Sequence, residues 1–152
     1  MDKKEKEPKN CTQEDLEIED FIILGIVIND KGKVLVIRRV KEDVGSDGSV
    51  LTWSFPGGKQ WLNENRRECV EKEILAETGY AVHSIREISL RHHPHFPVII
   101  VYHLCKLTSL KPVAEPSEPH EIAEIRWVKP QEIKTLFTTD FDPKVSRELG
   151  LK

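Results

Sequence analysis

The stretch GGKQWLNENRRECVEKEILAETGY, residues 57–80, constrains the fold more than any other part of the chain. It opens with Gly57 and Gly58 behind Pro56 and closes at Gly79. Glycine tolerates positive φ and lets other groups approach the backbone closely, so the first pair predicts a tight turn. Between these ends the spacing predicts one helix from about Glu64 to Thr78, with Asn63 as N-cap and Gly79 as a left-handed C-cap. At about 100° per residue, Val70 and Ile74 lie roughly 40° apart, and Glu73 and Glu77 lie roughly 40° apart beside them. One edge of the buried face therefore carries two neighbouring carboxylates. A charged run on a helix is ordinarily a solvated face. These acids instead flank the apolar stripe, beside a glycine turn whose carbonyls can face the same point. Two carboxylates one turn apart with a backbone carbonyl nearby form a hard oxygen site, suited to Mg²⁺ or Mn²⁺ with phosphate oxygens completing the shell.

Upstream, FIILGIVIND is a continuous apolar run rich in Ile and Val, and VLVIRRV follows the turn residues NDKGK. The pattern predicts two strands joined as a hairpin. KEDVGSDGS reads as a loop and LTWSF as a short strand leading into the PGG turn. Downstream, AVHSIREISL and VIIVYHLCKL predict a second strand pair separated by RHHPHFP. The proline-rich TSLKPVAEPSEPHE reads as a loop, IAEIRWV as a strand, and Pro130 as the first position of a short helix, PQEIKTLF. Paired strands with one strong helix between them and another near the end predict an α/β fold, a mixed sheet flanked by helices. Residues 1–18 are almost wholly charged or polar and predict a flexible tail, which leaves 19–152 as a single domain.

A chain of 152 residues is long enough to bury a real core. Its formal net charge of -3 and pI near 6.1 argue against a broad grip on nucleic acid, which needs a surplus of Lys and Arg. No stretch approaches the run of about 18 apolar residues of a membrane helix, and MDKKEKEPKN lacks the apolar segment of a signal peptide. The expected location is the cytoplasm. Cys11, Cys69 and Cys105 are widely spaced, which suits free thiols and carries no zinc signature. Cys69 and Cys105 fall in helical and strand patterns and read as small buried hydrophobes.

From Gly58 onward the stretch resembles the Nudix box of the Nudix hydrolases. That pattern is Gly, five residues, Glu, seven residues, then Arg-Glu, an aliphatic, any residue, Glu-Glu, any residue, Gly and an apolar residue. Here it falls without a gap on Gly58, Glu64, Lys72, Glu73, Ile74, Leu75, Ala76, Glu77, Thr78, Gly79 and Tyr80. The preceding FPGG and the later EIAEIRWV add to the likeness, which spans about residues 20–138. It implies an α/β/α sandwich with a mixed β-sheet. It also implies hydrolysis of a nucleoside diphosphate linked to another group, assisted by Mg²⁺ or Mn²⁺. Carried over by position, Glu73 and Glu77 are the implied metal ligands, joined by the Gly57 carbonyl, with Glu73 also catalytic. Lys72 would pair with Glu64 and hold the loop against the helix, and Gly58 and Gly79 shape its ends.

Two positions depart from the pattern. Lys72 is a single point donor where Arg offers a planar fork, which loosens the orientation of Glu73. Ala76 stands in place of the first closing Glu, which removes one carboxylate and implies weaker binding of one metal or a replacement from elsewhere. Glu121, just before IAEIRWV, is the candidate further ligand or general base, with Glu118 and Glu124 as competitors. Glu124 reads as a solvent-facing strand residue.

Arg38 and Arg39 end a strand that can face phosphates, and alternation lets only one of them point inward. Arg38 is the substrate-binding candidate. Trp61, in the box loop, is the aromatic expected to be exposed near a ligand, while Trp53 and Trp127 read as core or half-buried. His92, His93 and His95 read as loop residues at the substrate mouth rather than as metal ligands. The expected reaction is Mg²⁺-dependent cleavage of nucleoside triphosphates, oxidised or non-standard nucleotides such as 8-oxo-dGTP included. One alternative is a nucleoside diphosphate sugar or ADP-ribose hydrolase, for which a homodimer is compatible. Another is a catalytically weak nucleotide-binding module, which Ala76 favours. The expected partner is a small nucleotide, with no extended nucleic acid and no membrane.

Overall fold

The computed structural model describes residues 20–61, 63–117, 119–138 and 141–151. The predicted tail, Cys11 and Glu118 lie outside the described residues. In chain order the elements are β1 (Asp20–Val27), β2 (Val34–Val44), β3 (Val50–Ser54), β4 (Gly57–Lys59), α1 (Arg66–Thr78), β5 (Val82–His92), β6 (Val98–Leu107), β7 (Ile122–Val128), α2 (Pro130–Leu136) and α3 (Pro143–Glu148). They form a mixed sheet in the order β4-β1-β6-β5, with β1 and β6 parallel, and an antiparallel sheet in the order β3-β2-β7.

The expected hairpin of β1 and β2 closes only at its base, through the bridge between Ile28 and Val34. Beyond it β1 lies between β4 and β6, and β2 between β3 and β7. β1 for most of its length and β2 over Val34–Ile37 are apolar on both faces, and such segments are stable only with neighbours on either side and cover above and below. β2 and β5 also outrun their apolar patterns, β2 into KEDV and β5 to His92, so His92 is a strand residue rather than a loop residue.

Period-two alternation sorts the core into two layers. Ile23 and Val27 of β1, Leu35 of β2, and Ile99, Val101 and Cys105 of β6 pack with Cys69, Val70 and Ile74 of α1. Their neighbours Ile26, Val34, Val36, Ile100 and Tyr102 pack the other way, with Ile133 of α2 and with Val145 and Leu149 at α3. The result is the α/β/α sandwich. No helix among the described residues is long and apolar enough to cross a membrane.

The N-cap of α1 is Asn65, not Asn63: its side chain accepts from Glu68 N–H at 2.8 Å. The helix starts two residues late because Glu64 is engaged outside it, accepting from Trp61 N–H at 3.0 Å. Gly79 ends the helix at φ 80°, donating to the Leu75 carbonyl at 2.9 Å. The long loop then covers the exposed carbonyls, with Ser117 N–H on Ala76 O and Val113 N–H on Gly79 O, each at 2.8 Å. α2 begins at Pro130. α3 was not anticipated by the sequence pattern, although Asp142 and Pro143 form an N-cap and N1 pair, the Asp142 side chain accepting from Lys144 N–H.

Candidate active site

The α1 face beside Val70 and Ile74 carries Glu73 and Glu77 onto Gly57 and Gly58, which are not the tight turn the sequence predicts but extend as β4 alongside β1. Gly57 has φ 153°, and a Cβ there would run into the Ile23 carbonyl. A Cβ on Gly58 would lie 2.6 Å from Glu73 Oε1. Gly57 thus lets β4 lie close against β1, and Gly58 lets the Glu73 carboxylate reach the β4 backbone. Glu77 is 2% exposed. Its Oε1 accepts from Gly57 N–H at 3.0 Å, and its Oε2 lies 2.8 Å from Arg39 Nη2. The same Arg39 nitrogen donates to Gly57 O at 3.2 Å. Burial pushes the Glu77 carboxyl up to about 7, against the opposing pull of Arg39 and of Gly57 N–H.

Lys72 Nζ pairs with Glu64 Oε2, and Glu64 also holds Trp61 N–H. Partial burial opposes ionisation of Glu64, yet these hydrogen bonds keep its carboxyl below the usual range, and the Glu64 bond raises Lys72. The box loop is thus tied to α1 at the residue next to Glu73. Trp61 stands 50% exposed on the cleft wall, with Lys59 Nζ 4.7 Å from its ring centroid.

These groups form one end of a cleft of about 620 Å³ between the sheets. Its other walls are aromatic and aliphatic, including Trp53, Phe55, Phe96, Tyr102, Phe137 and Phe141. Glu121 and Asp43 stand on the rim. The Glu121 backbone carbonyl accepts from Val40 N–H at 2.9 Å, and its carboxylate lies 3.6 Å from His120 Nε2. Glu124 lies outside the cleft and pairs with Arg126 at 2.6 Å. His93 lines the cleft, edge-on to Phe96, whereas the His95 ring lies 3.4 Å from Asp47.

Arg38 does not line the cleft. Its guanidinium lies 5.8 Å from the Trp53 ring centroid and 3.7 Å from Glu124, so the arginine that faces the acidic pair is Arg39. The register of β2 decides between them: Leu35 packs against α1, and the same parity along the strand carries Arg39 to that side. Asp43 was also missed, because its strand continues through residues whose composition reads as loop. Cys69 and Cys105 are buried, and loss of solvation pushes both thiols up to about 12, so neither is a nucleophile at neutral pH.

The donor set is all oxygen: two carboxylates and the Gly57 carbonyl. Among the described residues no group of three His, Cys, Asp or Glu side chains converges. A hard divalent cation that keeps part of its shell for waters and phosphate oxygens fits such a set. The geometry defines a class: an α/β/α protein with an acidic helix pair against a glycine-rich strand, opening on a largely apolar cleft. The NUDIX domain profile matches residues 21–149, and the chain belongs to that family.

The chain is 28% identical over 105 residues to a Bacillus subtilis (strain 168) protein provisionally named an 8-oxo-dGTP diphosphatase. That match covers 69% of this chain and 63% of the relative, so it spans less than two thirds of the relative's length. Among solved structures, a MutT protein from Methanosarcina mazei Go1 superposes with a TM-score of 0.62 at 21% identity, over 86% of this chain and 91% of that one. An ADP-ribose pyrophosphatase from Streptococcus suis 89-1591 superposes at 0.51 and 20% identity, over 74% and 75%.

Proposed function

We propose that the protein is a divalent-metal-dependent pyrophosphohydrolase that cleaves nucleoside triphosphates, with oxidised or non-standard nucleotides such as 8-oxo-dGTP as the first substrates to test. The observation that carries this reading is the placement of Glu73, Glu77 and the Gly57 carbonyl at one end of an aromatic cleft large enough for a nucleoside. Glu73, Glu77 and Gly57 O would hold Mg²⁺ or Mn²⁺, which supplies charge neutralisation and a more acidic bound water. The phosphates lie along β4, where Lys59 and Arg39 offset their charge. The base enters the apolar cleft and stacks on its aromatic walls. Trp61 flanks the phosphate end. Lys72 and Glu64 hold the loop that carries it. Glu121, on the rim, is the candidate to accept the proton of the attacking water, and Glu73 shares the catalytic role.

The test is phosphate-product release with Mg²⁺ across a panel of ordinary and oxidised nucleoside triphosphates, ADP-ribose and nucleoside diphosphate sugars. Glu73→Gln is expected to lower kcat by about 100-fold or more while remaining folded. Ala76→Glu is expected to leave turnover unchanged or raise it. Parent-like activity in Glu73→Gln would sink the site assignment. The ADP-ribose reading is supported by the Streptococcus suis relative and would be preferred if ADP-ribose alone is turned over. A nucleotide that binds with no turnover of any substrate would make the chain a binding module, the reading that Ala76 favours.

A further inference from the structure

Arg39 holds two of the three oxygens assigned to the metal. Its Nη2 lies 2.8 Å from Glu77 Oε2 and 3.2 Å from Gly57 O. The remaining Glu77 oxygen is occupied by Gly57 N–H at 3.0 Å. Glu77 is almost wholly buried, so water does not compete strongly for its carboxylate, whereas the Arg39 side chain is 30% exposed and borders the cleft. A carbonyl and a carboxylate whose lone pairs converge on one guanidinium nitrogen cannot give those lone pairs to a dication at about 2.1 Å, the distance Mg²⁺ requires. A guanidinium and a dication on adjacent oxygens of one buried carboxylate also repel each other, and low local dielectric strengthens that repulsion.

We propose that Arg39 is an internal stand-in for the metal ion: its guanidinium bridges Glu77 and Gly57 until a divalent cation takes the same oxygens, so the two occupy the site in alternation. This rests on the metal site put forward above. Arg39 is then a positioning residue with two effects. It neutralises a buried carboxylate that would otherwise destabilise the fold, and it weakens metal binding, because only molecules with the arginine withdrawn are competent to bind. The withdrawn guanidinium stays on the cleft wall. It needs another anion there, so metal entry is coupled to arrival of an anionic ligand.

The experiment is Mn²⁺ titration of the full chain without nucleotide at pH 8.5, with free Mn²⁺ followed by electron paramagnetic resonance. The proteins are the parent, Arg39→Gln, Arg39→Lys and Glu73→Gln, each checked for folding by circular dichroism. Arg39→Gln is expected to bind Mn²⁺ about threefold or more tightly than the parent, because every molecule is then competent. It should also show a larger Mn²⁺-induced rise in Tm. Arg39→Lys keeps the charge without the fork and should fall between the two. Equal or weaker Mn²⁺ binding in Arg39→Gln, with binding lost in Glu73→Gln, overturns the stand-in role and leaves the metal site intact. Parent-like Mn²⁺ binding in Glu73→Gln overturns the metal site and the stand-in role with it. If Arg39→Gln does not fold, Arg39→Lys decides: tighter binding than the parent supports the proposal, and equal or weaker binding overturns it.

Discussion

Glu77 illustrates how one residue couples the site to the stability of the whole protein. Burial raises its carboxyl from 4.5 to about 7, so the folded chain binds a proton there that the unfolded chain has released across this window. The stability this contributes is fully present below pH 4.5 and is lost as pH rises through 7. With divalent metal removed by a chelator, denaturant unfolding should therefore show stability falling across that window, by up to about 3 kcal/mol. Glu77→Gln should flatten the slope; an unchanged slope would place its origin elsewhere. The acidic pair was readable from spacing on one helix. Spacing alone does not separate Arg38 from Arg39, because it does not specify which face of β2 meets α1; Arg38, the candidate from sequence, packs on Trp53, and Arg39 meets Glu77.

At the scale of elements, α1 depends on its ends. Asn65→Ala removes a hydrogen bond to Glu68 N–H and should cost about 1 kcal/mol in denaturant melts. Asn63→Ala lies outside the helix and should stay within about 0.5 kcal/mol of the parent. The opposite ranking would return the cap to Asn63. Composition alone cannot separate these two asparagines, because both precede the apolar stripe. What separates them is the Glu64 carboxylate, held by Trp61 N–H and Lys72, which keeps Glu64 out of the helix. The strands follow the same logic. Continuous apolar runs signal burial on both faces but do not specify partners, and β1 and β2 separate into different sheets after one bridge.

At the scale of the molecule, the cleft belongs to both sheets. Its acidic end comes from α1, β2 and β4, and its aromatic walls from β3, β6, the β5–β6 loop and the segment between α2 and α3. The β2–β3 tip meets the β5–β6 loop: Ser46 N–H donates to His95 O at 2.8 Å, and the His95 ring lies 3.4 Å from Asp47. His95→Ala removes the ring contact and keeps the backbone bond. It should leave Tm nearly unchanged while hydrogen exchange at residues 45–49 accelerates. Unchanged exchange would mean that the backbone bond alone joins the two segments.

The order of residues along the chain was sufficient for the α1 helix, its acidic pair and the strands other than β4, whose glycines read as a turn. Each depends on contacts within a few residues, and the 3.6 and 2.0 periods of helix and strand express those contacts directly. Tertiary structure alone decided that Arg39 rather than Arg38 meets Glu77, that Asp43 reaches the rim, and that β1 and β2 part into two sheets. These depend on register between segments distant in sequence, where shifting a strand by one residue exchanges the side chains presented to each face.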